Sequence, residues 1–139
     1  MIKTNRVWQL SQMGRWSLLL LVWMGVIFFF SHQPGSGRNI EPPLWYVLER
    51  KSAHVFEYAV LMGLATYFFR LLFPKEKHTR ILLIAFIFTL SYGCIDEIHQ
   101  AFIFGRGARM SDVLIDGGGA LLMTTLFLLR PHWLKWPRI

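Results

Sequence analysis

The sequence has only one cysteine, Cys94, and charged residues make up only 17% of its 139 positions. A single cysteine excludes a disulfide framework within the chain and a zinc site of the CxxC type. Soluble domains carry about 25% charged residues and fewer unbroken apolar segments. The sequence also lacks an internal repeat of about 20–50 residues. A large soluble domain and a solenoid are therefore both excluded.

Apolar residues, by contrast, account for 54% of the chain. A helix needs about 20 predominantly apolar residues to cross a bilayer, and the chain has four runs of this kind. We predict an all-α integral membrane bundle of four transmembrane helices with short loops, which forms a single domain over residues 1–139. The predicted spans are residues 14–31, 52–73, 81–102 and 111–130. The runs are continuous and lack the alternation that marks a β-barrel.

Local signals refine these boundaries. The first run, Trp16 to Phe30, follows a basic start as a signal peptide would, but no A-x-A-like cleavage site comes after it. We therefore expect a retained span. The long loop after it has an irregular, Pro- and Gly-rich start, and Leu44 to Arg50 could form a short interfacial helix. Ser111 is the expected N-cap of the fourth span.

The net charge of +7 is unevenly distributed. Basic residues flank the apolar runs instead of forming one patch, so nucleic acid is not an expected partner. Both termini and the loop after the second span carry ten basic residues and one acid, whereas the other two loops and their adjoining helix ends carry five basic residues and seven acids. The positive-inside rule then predicts that both termini are cytoplasmic (N-in, C-in).

The ionisable residues inside the spans lie close to the outer end of each helix. Such residues are costly in lipid and normally face a protein interior or a wet cavity. They form three sets with helical spacing: Lys51, His54 and Glu57; Asp96, Glu97, His99 and Gln100; Arg109, Asp112 and Asp116. Ser31 and Gln33 end the first span at the same level. We expect these side chains to share one site when the helices bundle.

Two glycine-containing segments adjoin this predicted site. Small residues let helix backbones approach closely, so Gly117 to Ala120 predict that the fourth span presses against a neighbour. Gly105 to Ala108 have the composition of a tight turn. This turn would direct Arg106 and Arg109 over the cluster, where a guanidinium fork suits carboxylates or a phosphate.

Imidazoles and carboxylates at one depth could provide a general acid and a general base. His99 is the first candidate for this role, oriented by Asp96 or Glu97, and His54 with Glu57 form the second pair. The remaining polar residues are candidates for binding an anionic substrate: Lys51, Gln100, Arg106, Arg109, Asp112, Asp116, Gln33 and Ser31. The corresponding reaction would be hydrolysis or transfer on a lipid-linked phosphate.

Other interpretations of these residues stay open. No cofactor is predicted, but a divalent metal could be held by residues from the set His54, Glu57, Glu97, His99, Asp112 and Asp116, although no HExxH pattern occurs. The cluster could instead bind a head group without catalysis, or serve a small proton-coupled transporter. Ion pairs could also merely fix the helix packing; the candidate pairs are Lys51–Glu57, Arg109–Asp112 and Asp96–His99.

Five segments of the chain combine into a specific pattern. They are Ser31-His32-Gln33-Pro34, Lys51-x-x-His54-x-x-Glu57-Tyr58, Asp96-Glu97-Ile98-His99-Gln100-x-Phe102, Gly105-Arg106, and Asp112-Val113-x-x-Asp116-x-x-Gly119. With these segments the sequence resembles the VanZ-like family of small bacterial membrane proteins, except that His32 stands where a small residue is commoner.

The resemblance covers residues 31–120. It implies a multi-pass protein of the bacterial cytoplasmic membrane that acts in the cell envelope. The founding member of the family is associated with resistance to teicoplanin, so an effect on glycopeptide susceptibility is implied. The resemblance supplies no reaction. The expected partners are membrane lipids, in particular an anionic lipid or a lipid-linked cell-wall precursor.

Overall fold

The computed structural model describes residues 2–35 and 43–134 of the chain. These residues form four α-helices: α1 (Ile2–Ser31), α2 (Leu44–Leu72), α3 (His78–Gln100) and α4 (Met110–Leu129), followed by a 3-10 turn at Pro131–Leu134. Each α-helix is long and apolar enough to cross a membrane, and the described residues contain no strand. The prediction of an all-α bundle with four spans is therefore confirmed. The orientation of the bundle stays a prediction.

Helix α2 lies at the centre of the bundle and packs against the other three helices, most extensively against α4. Its buried side chains form the middle of the core, and two residues from each of the other helices pack around them. These core residues include Leu61 and Met62 of α2, Ile27 of α1, Ala85 of α3 and Phe127 of α4. Large apolar side chains also cover the exterior, as expected when lipid rather than water surrounds a bundle.

The contact between α2 and α4 is closest at Gly119. A Cβ atom at this position would overlap the carbonyl oxygen of Val55, so only glycine allows the two backbones to meet. The adjacent Gly118 would meet no atom within 4 Å, and Gly117 faces a side-chain methyl of Leu90 on α3. The prediction that the small-residue segment presses on a neighbour is confirmed, and Gly119 is the residue that makes the contact.

Helix α2 begins earlier than the sequence analysis predicts. It starts at Leu44 rather than at residue 52, so the expected short interfacial helix is the first part of the second span. Pro43 precedes it in an extended conformation, and its fixed φ suits a helix start. No helix-breaking residue lies between Leu44 and residue 52, which explains why the helix continues without a break.

The ends of α3 and α4 also differ from the prediction. Helix α3 ends at Gln100, and the chain then turns through residues 101–105. The N-cap of α4 is Arg109, without a side-chain cap hydrogen bond, so the predicted cap at Ser111 is wrong. The Ser111 hydroxyl donates instead to Asp112 Oδ1 at 3.2 Å. The charges at residues 38, 41, 135 and 138, used for the predicted orientation, lie outside the described residues.

Candidate functional site

The residues from the predicted outer ends of the four spans meet at one end of the bundle. Hydrogen bonds and ion pairs connect α1 with α3, α2 with α4, and the start of α4 with α3. We call the side chains at the centre of these contacts the polar cluster. Its members are Ser31, His54, Glu57, Asp96, Glu97, Gln100, Arg106 and Asp116.

Asp96 connects α3 to the end of α1. Its Oδ2 atom accepts a hydrogen bond of 2.6 Å from the Ser31 hydroxyl and one of 2.8 Å from Gln100 Nε2. Gln100 Nε2 also lies 3.2 Å from the Ser31 hydroxyl oxygen. All three side chains are buried. Hydrogen bonds to a carboxylate are short and strong, so this group fixes the position of the last turn of α1.

His54 of α2 pairs with Asp116 of α4. Its Nδ1 atom lies 3.0 Å from Asp116 Oδ1; the Asp116 side chain is fully buried and the His54 side chain is 15% exposed. Since the carboxylate accepts from Nδ1–H, Nε2 is the nitrogen left to face a ligand. The predicted pairing of His54 with Glu57 is replaced by this contact. The other oxygen of Asp116, Oδ2, is buried without a hydrogen-bond partner.

Glu57 lies one turn after His54 in the middle of the cluster. It is close enough to interact electrostatically with His54, Asp96, Asp116 and Arg106. Its backbone carbonyl accepts a hydrogen bond of 2.9 Å from the indole N–H of Trp23 on α1. Its carboxylate takes part in none of the side-chain hydrogen bonds of the described residues. This carboxylate is therefore available to a ligand.

Glu97 holds the start of α4 against α3. The carboxylate is buried; its Oε2 atom accepts from the backbone N–H of Arg109 at 2.9 Å, and its Oε1 atom has no partner. Near the same helix end, Lys51 Nζ lies 3.6 Å from Asp112 Oδ1, and both side chains are partly exposed. Arg109 itself is exposed. The rim of the cluster thus carries cations above buried acids.

Arg106 reaches the cluster from the loop after α3. Gly105 adopts a positive φ of 74°, which glycine allows at little cost, and Gly35 N–H donates to the carbonyl of Phe104 at 3.0 Å. Arg106 Nη2 donates to the carbonyl of Phe30 at 3.0 Å, while Nε and Nη1 are buried without partners. Burial lowers the pKa of Arg106, and repulsion from nearby Arg50 adds to this effect. The expected tight turn thus places Arg106 over the cluster.

His99 lies on another face of α3, outside the polar cluster. Its Nε2 atom lies 3.2 Å from His32 Nδ1, and its ring centroid lies 4.5 Å from that of Phe28. The predicted orientation of His99 by Asp96 or Glu97 is not found, because those two acids point into the bundle and His99 is half-exposed. No role is predicted for His32 from the sequence.

The other predicted pairs also differ from the observed ones. Ion pairs within one helix were an open alternative for Lys51–Glu57 and Asp96–His99, but neither pair forms. Lys51 pairs with Asp112 of α4, Asp96 bonds Ser31 of α1 and Gln100 of its own helix, and His99 lies against His32. Gln33 donates to the backbone carbonyl of Phe29 at 3.1 Å and stays outside the cluster. Interhelical contacts of this kind determine how the four helices are rotated against each other.

In residues 2–35 and 43–134 the side chains do not form a set of ligands for a divalent cation. No group of three or more His, Cys, Asp or Glu side chains in these ranges is arranged to hold a metal ion. The candidate ligands are distributed over separate contacts instead: His54 with Asp116, Glu97 with the backbone of Arg109, and His99 with His32.

Two residues of the site were given no functional role from the sequence, although Tyr58 belongs to one of the quoted segments. Tyr58 is fully buried, its hydroxyl has no partner, and its ring lies parallel to the His54 ring at 6.3 Å between centroids. Gly93 leaves room for Asp116, because a Cβ there would lie 3.2 Å from Asp116 Oδ2. The i, i+4 spacing of His54 and Tyr58 was the available signal, since such residues share a helix face.

The comparisons with known proteins give one match. A family model described as VanZ/LLP1 matches residues 16–131, a range that includes the whole polar cluster. No curated protein and no solved structure matches the chain.

Proposed function

Because this chain belongs to the VanZ/LLP1 family, we propose that it is a cell-envelope membrane protein whose polar cluster binds the anionic phosphate head group of a lipid or of a lipid-linked cell-wall precursor. The observation that supports this proposal best is the state of Arg106. One of its nitrogens is bonded to the Phe30 carbonyl, and two are buried without a partner.

A phosphate would satisfy one of these two nitrogens, with a second phosphate oxygen on the remaining N–H of Nη2. A buried donor without an acceptor costs about 1–3 kcal/mol, and more when it is charged. The planar guanidinium fork matches two phosphate oxygens in a bidentate arrangement. Arg50 lies close enough to Arg106 for the two cations to repel each other. An anion bound between them would turn this repulsion into attraction.

The level of Arg106 along the bundle also suits a lipid. The residue follows the short turn after the end of the third span, where the head group of a membrane lipid would lie. With both termini cytoplasmic, as the basic loops predict, this end would face the exterior of the bacterial cytoplasmic membrane. Lipid-linked cell-wall precursors are accessible there, so binding one could alter susceptibility to a glycopeptide such as teicoplanin.

Native mass spectrometry of the purified chain tests the binding function. The wild type should retain phosphate-bearing lipid. Arg106→Gln should retain at least about tenfold less, because charge-assisted hydrogen bonds to the phosphate are lost. Arg80→Gln removes the same charge at the opposite end of the bundle, where Arg80 pairs with Glu76, and should retain the lipid. Arg106→Lys, which keeps the charge but loses the fork, should be intermediate. Equal retention by all variants would refute the proposal.

A second candidate function is acid–base catalysis, which the His54–Asp116 pair favours. Asp116 orients the imidazole through Nδ1 and would stabilise its cationic form, which leaves Nε2 to act as the base. In a hydrolysis, Nε2 would take a proton from water as its oxygen attacks phosphorus. The bond to the lipid alcohol would break, and the alcohol oxygen would receive that proton.

Turnover decides between catalysis and binding alone. The full chain is incubated with a short-chain lipid phosphate or diphosphate, and released phosphate is measured. Catalysis predicts turnover that falls about 10²–10⁴-fold in His54→Gln, the contribution typical of a positioned base. If the wild type releases no phosphate while it retains lipid, catalysis is refuted and binding stands.

A further inference from the structure

The polar cluster has acceptors as well as donors without partners. Asp116 Oδ2 and Glu97 Oε1 are buried and receive no hydrogen bond from the described residues, and their side chains are 0% and 3% exposed. A buried carboxylate oxygen without a donor is unfavourable. Neither oxygen has a donor among the described residues. The free carboxylate of Glu57 interacts electrostatically with both Asp116 and Arg106.

Arg106 does not fill this role, although it is near. It lies within electrostatic range of Glu57, Asp96 and Glu97. In the described ranges, however, the ion pairs are those of Lys51 with Asp112, His54 with Asp116 and Arg80 with Glu76. The polar cluster thus contains unpaired donors on Arg106 and unpaired acceptors on Glu97 and Asp116 that do not pair with one another, and a ligand with groups of both kinds would satisfy them.

The charge balance of the polar cluster also favours a ligand that carries both a negative and a positive group. Within the polar cluster there are four carboxylates, those of Glu57, Asp96, Glu97 and Asp116, and only one guanidinium and one imidazole; the cations of Arg50 and Lys51 lie at its rim. A ligand that carries only negative charge would be held by Arg106 but repelled by the neighbouring acids. A head group that brings its own cation would satisfy both regions.

We propose that the bound head group carries a phosphate together with a primary ammonium, as phosphoethanolamine does. The phosphate binds Arg106, and the ammonium binds the carboxylate of Glu57 together with the unpaired oxygen of either Asp116 or Glu97. This inference rests on the proposed function and names its ligand class. A primary ammonium has three donors and no acceptor, which matches carboxylate oxygens. A quaternary choline ammonium offers no N–H, and a phosphoglycerol head offers no cation.

Binding titrations of the full chain in detergent test this inference. The probes are dihexanoyl phosphatidylethanolamine, the matching phosphatidylglycerol and phosphatidylcholine, and free phosphoethanolamine. The wild type should bind the ethanolamine lipid at least about tenfold more tightly than the other two lipids, the factor expected for hydrogen bonds to charged groups. Free phosphoethanolamine that competes at equal concentration would identify a soluble ligand; competition only by the lipid would identify a membrane ligand. Either result supports the chemical class.

Variants assign the selectivity to the site. Glu57→Gln should lower the affinity for the ethanolamine lipid to that for the glycerol lipid, and should fold because the carboxylate makes no hydrogen bond within the described chain. Glu97→Gln is the second variant. Glu49→Gln is the matched control, since Glu49 is exposed on the same helix as Glu57. This control variant should bind the ethanolamine lipid and the glycerol lipid with the affinities of the wild type.

Two outcomes would overturn the inference. One is equal affinity for the three lipids; the other is an ethanolamine preference that survives in both Glu57→Gln and Glu97→Gln. In either case binding that still depends on Arg106 would leave the proposed function intact. If no phosphate-bearing probe binds the wild type, the proposed function and the inference both fail.

Discussion

Replacement of Gly119 by alanine would test whether α4 is held against α2 by direct backbone contact. A Cβ there would overlap the carbonyl oxygen of Val55, so the helices must move apart. Gly118 provides a matched control, because a Cβ at that position meets no atom within 4 Å. Both substitutions add one methyl group to the same helix turn.

The expected difference in stability between the two variants follows from two opposing effects. Alanine is favoured over glycine in a helix by about 1 kcal/mol, and this gain applies to both variants. Overpacking costs about 1–3 kcal/mol and applies only to Gly119→Ala. The difference between the two variants therefore isolates the overlap. For a chain of this size roughly 4 °C of Tm corresponds to 1 kcal/mol, so Gly119→Ala should melt about 4–12 °C below Gly118→Ala.

Thermal unfolding in detergent, followed by circular dichroism at the helix band, measures this difference. The overlap also has a local consequence, because Val55 adjoins His54 and Gly119 follows Asp116 by one turn. The 3.0 Å contact between His54 and Asp116 should lengthen in Gly119→Ala. Equal melting temperatures for the two variants would refute the proposed close contact of α2 and α4.

Two further predictions concern the hydrogen bond between Ser31 of α1 and Asp96 of α3, here called the α1 anchor, and the orientation of the bundle in the membrane. Ser31→Ala removes a donor from a buried carboxylate and should destabilise the bundle by about 1.5–3 kcal/mol. Ser91→Ala, whose exposed hydroxyl bonds its own helix, should cost less than about 0.5 kcal/mol in the same melting assay; equal losses would contradict the anchor. In a Cys94→Ala background, an impermeant maleimide should label Glu49→Cys on intact cells and Lys75→Cys only after permeabilisation. The reverse pattern would overturn the N-in, C-in orientation.

The spans and the common level of the polar residues could be predicted from the sequence. Both depend on position along the membrane normal, which a single sequence encodes through run length and through the cost of burying charge. The pairing of Asp116 with a residue of α2 depends on more than level. It requires that α4 lie against α2, which Gly119 permits and which the sequence indicated only as contact with some neighbour.

Hydrogen-bond partners could not be predicted, because they depend on how each helix is rotated about its axis. Asp96 and His99 are three residues apart and thus roughly 60° apart around the helix. This angle suffices to put Asp96 in the core and His99 on a half-exposed face. The rotation is set by tertiary contacts such as that of Ser31 with Asp96. Sequence spacing therefore located the candidate residues but not the pairs that they form.

The most direct test of the head-group site is a distance from Arg106 to phosphorus. Solid-state NMR of the full chain with ¹⁵N-labelled arginine, in a bilayer of phosphorus-free glycolipid with added dihexanoyl phosphatidylethanolamine, measures ¹⁵N–³¹P dipolar dephasing. The difference between wild type and Arg106→Gln isolates this residue. Bidentate contact predicts guanidinium nitrogens about 4 Å from phosphorus. Dephasing that is the same in both proteins would contradict the account.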